Sequence, residues 1–167
     1  MKNYYPLSFL ILFISSFFYS QIKPLVINNN TNYSVVGRIN IYSTNNCNDY
    51  YIFIPADFII MPNSSVTYNK YENTNLSNPP ITQYLLNGPN IISYNDPVLA
   101  SNGYIANNTD WEQFQFQTID SNNIAIDTFK VGVFRSNCDR KTFSTHYGTY
   151  STAEWVIHPT YHEVNIY

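Results

Sequence analysis

Three histidines, two neighbouring carboxylates and one tryptophan set among glutamines have types and spacings suited to chemistry. His158-Pro159-Thr160-Tyr161-His162-Glu163 holds two imidazoles four residues apart. The helical zinc motif uses that spacing with a glutamate between the histidines, all on one helical face. Here Glu163 follows the pair, and Pro159 is poorly tolerated inside a helix. The segment reads instead as a hairpin, Glu154–His158 and Tyr161–Tyr167 flanking Pro159-Thr160, with proline at an early turn position. Pairing 158 with 161 sends the two imidazoles to opposite faces, so they share no ion. A single continuous strand would put both on one face, where His146 could complete a three-ligand zinc site with an open position. The hairpin is the preferred reading, so no metal ligand, cofactor or catalytic residue is assigned.

Asp110 and Glu112 flank Trp111. Carboxylates two residues apart on a strand point the same way, roughly 7 Å apart at the backbone. A glycosidase needs two such groups facing each other across a scissile bond, so a local pair is weak support. There is no Gly-x-Ser-x-Gly elbow, and five glycines leave little for phosphate-cradling loops. The balance is against an enzyme. A secreted hydrolase, metal-dependent through the histidines, is the alternative.

Trp111 is the preferred binding residue. Trp111 to Ile119 alternates: Phe114 and Phe116 fall on one face, and Trp111, Gln113, Gln115 and Gln117 on the other. An indole beside amides on an exposed sheet can stack on a sugar ring while the amides bond its hydroxyls. The competing reading has Trp111 cap the end of the core, its N–H satisfied locally. Tyr50, Tyr51, Tyr68, Tyr71, Tyr147 and Tyr150 are further candidates for a contact face, although tyrosine is also simply a good strand former.

These residues must be positioned by strands. No long stretch carries apolar residues at helical spacing; alternation bounded by Asn, Pro, Ser and Gly recurs instead. Strands are expected at Val35–Tyr42, Trp111–Ile119, Phe129–Arg135 and in the C-terminal hairpin. Shorter ones fall at Leu25–Asn28, Tyr50–Ile54, Ser65–Tyr71, Ile81–Leu86 and Asn123–Asp127. In the hairpin, Trp155, Ile157, Val164 and Ile166 share a face with His162. Asn73 to Asn108, rich in Asn and Pro, reads as loops around short strands. The pattern predicts an all-β, single-domain antiparallel β-sandwich, with a small β-barrel as the alternative. Met61-Pro62-Asn63-Ser64-Ser65-Val66-Thr67-Tyr68 resembles the proline-then-strand opening of extracellular immunoglobulin-like modules, which implies a sandwich and no site residues.

Composition bounds function further. Lys2 precedes an apolar run, Leu7 to Tyr19, that ends at the small residue Ser20. This is the layout of a secretory signal peptide, and the run is short of the ~20 apolar residues that span a bilayer. Residues 1–20 are expected to be the signal and 21–167 the β-sandwich domain, with no transmembrane segment in the mature chain and a secreted or periplasmic location. In that oxidising setting Cys47 and Cys138 are expected to form a disulfide bond. The net charge is −3, and of the basic residues only Arg140 and Lys141 are adjacent in the mature sequence, which argues against nucleic acid. Abundant Asn with 11% charged residues suggests a neutral surface suited to carbohydrate or to a protein surface. The expected function is a non-catalytic binding or surface-interaction module.

Overall fold

A computed structural model describes residues 22–43, 52–53, 58–86, 89–136 and 139–167. The expected signal peptide and both cysteines, Cys47 and Cys138, lie outside the described residues. Thirteen strands are described: β1 (Leu25–Asn29), β2 (Ser34–Ser43), β3 (Ile52–Phe53), β4 (Phe58–Ile60), β5 (Ser64–Tyr68), β6 (Gln83–Leu86), β7 (Asn90–Ser93), β8 (Thr109–Ile119), β9 (Ala125–Ser136), β10 (Asp139–Phe143), β11 (Thr145–Tyr147), β12 (Thr152–Ile157) and β13 (His162–Ile166). They form two sheets. The smaller runs β11-β12-β13-β1-β5; the larger runs β10-β9-β8-β2-β3-β6-β7, with β4 also on β2. Neither closes into a barrel, and the fold is all-β and sandwich-like.

The chain makes sheets because its apolar residues recur at period two and its turns are polar. Along β2, Val35, Ile39 and Ile41 are buried, and Gly37 lies against Phe116 of β8. A Cβ on Gly37 would stand 2.4 Å from the Phe116 Cβ, so the position accepts only glycine. Aromatic rings then tie the layers together. Phe58 stacks on Phe114 at 5.7 Å and meets Tyr68 of the smaller sheet edge-on at 5.9 Å. Phe114, Phe116 and Phe129 continue as a stacked series.

The C-terminal hairpin forms in the expected register: Trp155 opposes Val164, Ile157 opposes His162, and the His158 N–H donates to the Tyr161 carbonyl at 2.9 Å. Trp155, Val164 and Ile166 are buried, whereas Ile157, at the hairpin end, is exposed. Among the described residues pairing is antiparallel except that β1 joins β13 in parallel. The strands expected at Asn123–Asp127 and Phe129–Arg135 merge into one, β9, which starts at Ala125 and in which an extra residue near Ile126 shifts the register against β8.

Asparagine does much of the turn chemistry. Asn63 and Asn123 take positive φ, a conformation asparagine tolerates better than most residues. Asn29 is fully buried: its amide donates to the Tyr33 and Met61 carbonyls, and its oxygen accepts from the Thr31 N–H and hydroxyl. This part of the asparagine content is internal wiring, not ligand surface.

One buried carboxylate closes the seam between the layers. β10 and β11 are separated only by Ser144, so the chain passes from the larger sheet to the smaller one there. The stretch of β9 before Gly132 therefore lacks β10 as a neighbour. Side chains take over. The Lys130 N–H donates to His146 Nδ1 at 3.1 Å. Asp127 accepts from the Thr149, Tyr150 and Ser151 N–H groups and from the Ser151 hydroxyl at 2.7–3.0 Å. Desolvation pushes the Asp127 carboxyl up, but these four donors outweigh it and hold the group below its ordinary 3.8.

A depressed folded value stabilises above the unfolded value and ceases to do so as pH falls through the folded one. The expected result for Asp127→Asn is a loss of about 2–3 kcal/mol at neutral pH, because an amide NH2 would face the loop donors. The wild type should lose this advantage below about pH 4, so the two thermal midpoints converge on acidification. Melting curves from pH 7 to 2 check it; a constant gap between the proteins would contradict it.

Candidate functional site

The sequence places Trp111 on the glutamine face; the structure corrects this. β2 and β8 run in register from Ser34↔Ile119 to Asn40↔Gln113, and the next pair is Ile41↔Trp111. Glu112 is the extra residue of a β-bulge, and a bulge reverses the parity of whatever follows. Gln113, Gln115 and Gln117 therefore stay on the outer face while Trp111 turns inward with Phe114 and Phe116. It is 1% exposed, meets Tyr71 edge-on at 4.8 Å, and donates its indole N–H to the Lys23 carbonyl at 2.9 Å. A ring so enclosed offers no face for a sugar to stack on.

The same bulge separates the two carboxylates. Glu112 is buried in it. Asp110 is committed elsewhere: Oδ1 accepts from the Trp111 N–H at 2.9 Å and Oδ2 lies 2.8 Å from His162 Nε2. His162 is buried, and its Nδ1 has no partner among the described residues, nor does the indole nitrogen of Trp155, 5.7 Å away between ring centres. His158, on the opposite face of the hairpin, bonds Glu163 at 2.9 Å and stacks on Tyr161. His146 sits at the seam against Phe129. The three histidines thus stand in three separate settings. Among the described residues no three His, Cys, Asp or Glu side chains gather as a metal site would require.

The tyrosine candidates divide. Tyr68 and Tyr71 are fully buried, and burial, with smaller coulombic contributions, pushes both hydroxyls well above the ordinary tyrosine value. Tyr50 and Tyr51 lie outside the described residues. Tyr147, the last residue of β11, and Tyr150, on the loop that Asp127 holds, are 77% and 70% exposed.

What the fold does assemble is the outer face of the larger sheet. Cross-strand register sets three rows there: Val36–Gln117–Thr128, Arg38–Gln115–Lys130 and Asn40–Gln113–Gly132. The last row is buried, and the Asn40 amide donates to Gln113 Oε1 at 2.6 Å. Gln115 also donates to that oxygen, Arg38 Nη2 donates to Gln115 Oε1 at 3.3 Å, and Gln117 donates to Thr128 Oγ1 at 3.3 Å. The amide row is thereby pre-oriented, with Gln113 an internal support rather than a contact residue. The outer two rows line a shallow open depression of about 440 Å³ together with His146. A second of about 440 Å³ adjoins it through Lys130 and His146 and includes Thr145 and the half-exposed ring of Phe143.

The sequence singles out none of Arg38, Lys130 and Phe143 for binding, and offers His146 only as a third zinc ligand. Arg38 and Lys130 are ninety-two residues apart and meet only through strand pairing. Among the described residues no helix is long and apolar enough to cross a membrane. No protein-family model matches the chain, and no curated protein or solved structure does.

Proposed function

We propose that this chain is an exported, non-catalytic binding domain whose carbohydrate ligand lies across the outer face of the larger sheet. The observation that carries the reading is the oriented amide row: Gln115 and Gln117 present hydrogen-bonding groups beside Thr128, in an open depression edged by the aromatic Phe143. Planar amides that both donate and accept match the vicinal hydroxyls of a sugar, and an aromatic rim gives a C–H face something to rest on. The placement of the residues favours binding without turnover. Asp110, His158, His162 and Asp127 are each engaged by an internal partner, away from this depression. Export, to the periplasm or beyond, rests on the leader composition of residues 1–20.

A protein ligand is the second reading. It is favoured by two exposed rings, Tyr147 at the end of β11 and Tyr150 on the following loop fixed by Asp127, since rigid tyrosines give contact area at low entropic cost.

A broad glycan array probed with wild type and with Gln115→Ala/Gln117→Ala tests the carbohydrate reading. The expected outcome is a defined set of bound glycans and a loss of about tenfold or more in affinity for the double variant, as two hydrogen bonds of roughly 1 kcal/mol each would give. An empty array would overturn it.

A further inference from the structure

We infer that the saccharide this face takes is an acidic one, carrying carboxylate or sulfate groups that Arg38 and Lys130 meet from either side of Gln115. The inference rests on the carbohydrate reading above and names its ligand class. The chain as a whole is acidic, with 11 Asp and Glu against 8 Lys and Arg, yet the two adjoining depressions are lined by Arg38 and Lys130 and by no carboxylate among the described residues. This local reversal of sign is invisible along the chain, where the basic residues are scattered.

Geometry makes the pair useful. Arg38, Gln115 and Lys130 are direct cross-strand neighbours, so the two cations flank the amide and their backbones are separated by two strand spacings, about 10 Å. Acidic groups on alternate residues of an extended saccharide can bridge such a span while intervening hydroxyls meet Gln115 and Gln117. Arg38 is exposed, and its described hydrogen bond, 3.3 Å to Gln115 Oε1, uses one of five guanidinium donors. That contact aims the guanidinium along the row and leaves its fork for a carboxylate or sulfate, the partners whose geometry it matches.

Nucleic acid is the weaker fit for the same face. Two cations would neutralise few phosphates, and a single-strand groove needs a series of aromatic platforms. Among the described residues lining the two depressions, the exposed ring is Phe143, beside the His146 imidazole at one side.

Calorimetric titration of the full-length mature protein tests the inference. The probes are a galacturonic acid hexamer, its fully methyl-esterified form, a heparin hexasaccharide and an inorganic polyphosphate of similar length. The expected result is that the galacturonate or the heparin oligomer binds and that the esterified hexamer binds at least about tenfold more weakly. Arg38→Gln should reduce affinity for the acidic oligomer by about tenfold without moving the thermal midpoint, in keeping with loss of an exposed charge-assisted contact. Raising salt should weaken wild type more than Arg38→Gln.

Equal binding of the free and esterified hexamers, unchanged by Arg38→Gln, would overturn the acidic-ligand inference and leave the carbohydrate reading standing. So would failure of both acidic probes alongside neutral glycans bound on the array. Polyphosphate binding as tight as that of the sugar acids would reduce the face to a general anion site and overturn it too. Silence of every saccharide, in titration and on the array, would bring down both readings.

Discussion

Trp111→Ala is expected to destabilise the protein by about 3–5 kcal/mol, the range seen when a buried aromatic is truncated to leave a cavity. The indole is among the largest fully buried side chains described, and it lies between Tyr68 and Tyr71 where the two sheets meet. Its removal also takes away the indole donor to the Lys23 carbonyl, so the segment leading into β1 loses an anchor. Urea denaturation measures the loss directly. The population that remains folded should bind ligand as wild type does, because the indole is enclosed while the glutamine rows face outward. A loss under about 1 kcal/mol together with abolished glycan binding would return Trp111 to the binding surface, since surface changes seldom exceed about 0.5 kcal/mol.

Gly132→Ala is expected to cost about 3 kcal/mol or more. Gly132 sits opposite the bulge with φ +109°, a backbone region that side chains rarely enter. A Cβ there would stand 2.1 Å from the Glu112 carbonyl oxygen and 2.9 Å from the Gln113 Cα. Backbone strain of about 1–3 kcal/mol then adds to overpacking of similar size, and the close atoms are main chain, which cannot swing aside. The bulge is what turns Trp111 inward and Gln113 outward, so relief of the clash by shifting β9 would disturb both faces at once. A thermal midpoint within a degree or two of wild type would contradict this account of the bulge.

The strands with clean alternation were legible in the sequence because one face of each is dry. Val35, Ile39 and Ile41 of β2, and Trp155, Val164 and Ile166 of the hairpin, lie on the faces their spacing predicts. Strands β4, β7, β10 and β11 were not legible. They hold three to five residues, and β10, at the edge of its sheet, begins with the charged Asp139, Arg140 and Lys141, which a periodicity reading passes over. The parallel joining of β1 to β13 is likewise a long-range pairing with no local mark.

The site divides in the same way. The glutamine face was readable from Gln113, Gln115 and Gln117, but Trp111 was assigned to it because strict alternation carries no sign of an inserted residue. Gly132, opposite the bulge, was the available hint: a glycine inside an apolar strand often marks a bulge or a close backbone approach. Arg38 and Lys130 could not be joined from the sequence, since their proximity depends on the order of β2, β8 and β9. The histidines show the converse. Their spacing invited a metal site, while the hairpin turn at Pro159 was sufficient to predict that His158 and His162 face apart, as their bonds to Glu163 and Asp110 show.

The measurement that bears most directly on the central claim is a three-way affinity comparison against the glycan bound most tightly on the array. It sets wild type beside Gln115→Ala/Gln117→Ala on the larger sheet and Thr67→Ala on the exposed face of the smaller one. The glutamine variant should lose about tenfold or more while Thr67→Ala binds as wild type, all three melting within a few degrees of one another. Wild-type affinity in the glutamine variant, or an equal loss in Thr67→Ala, would contradict it.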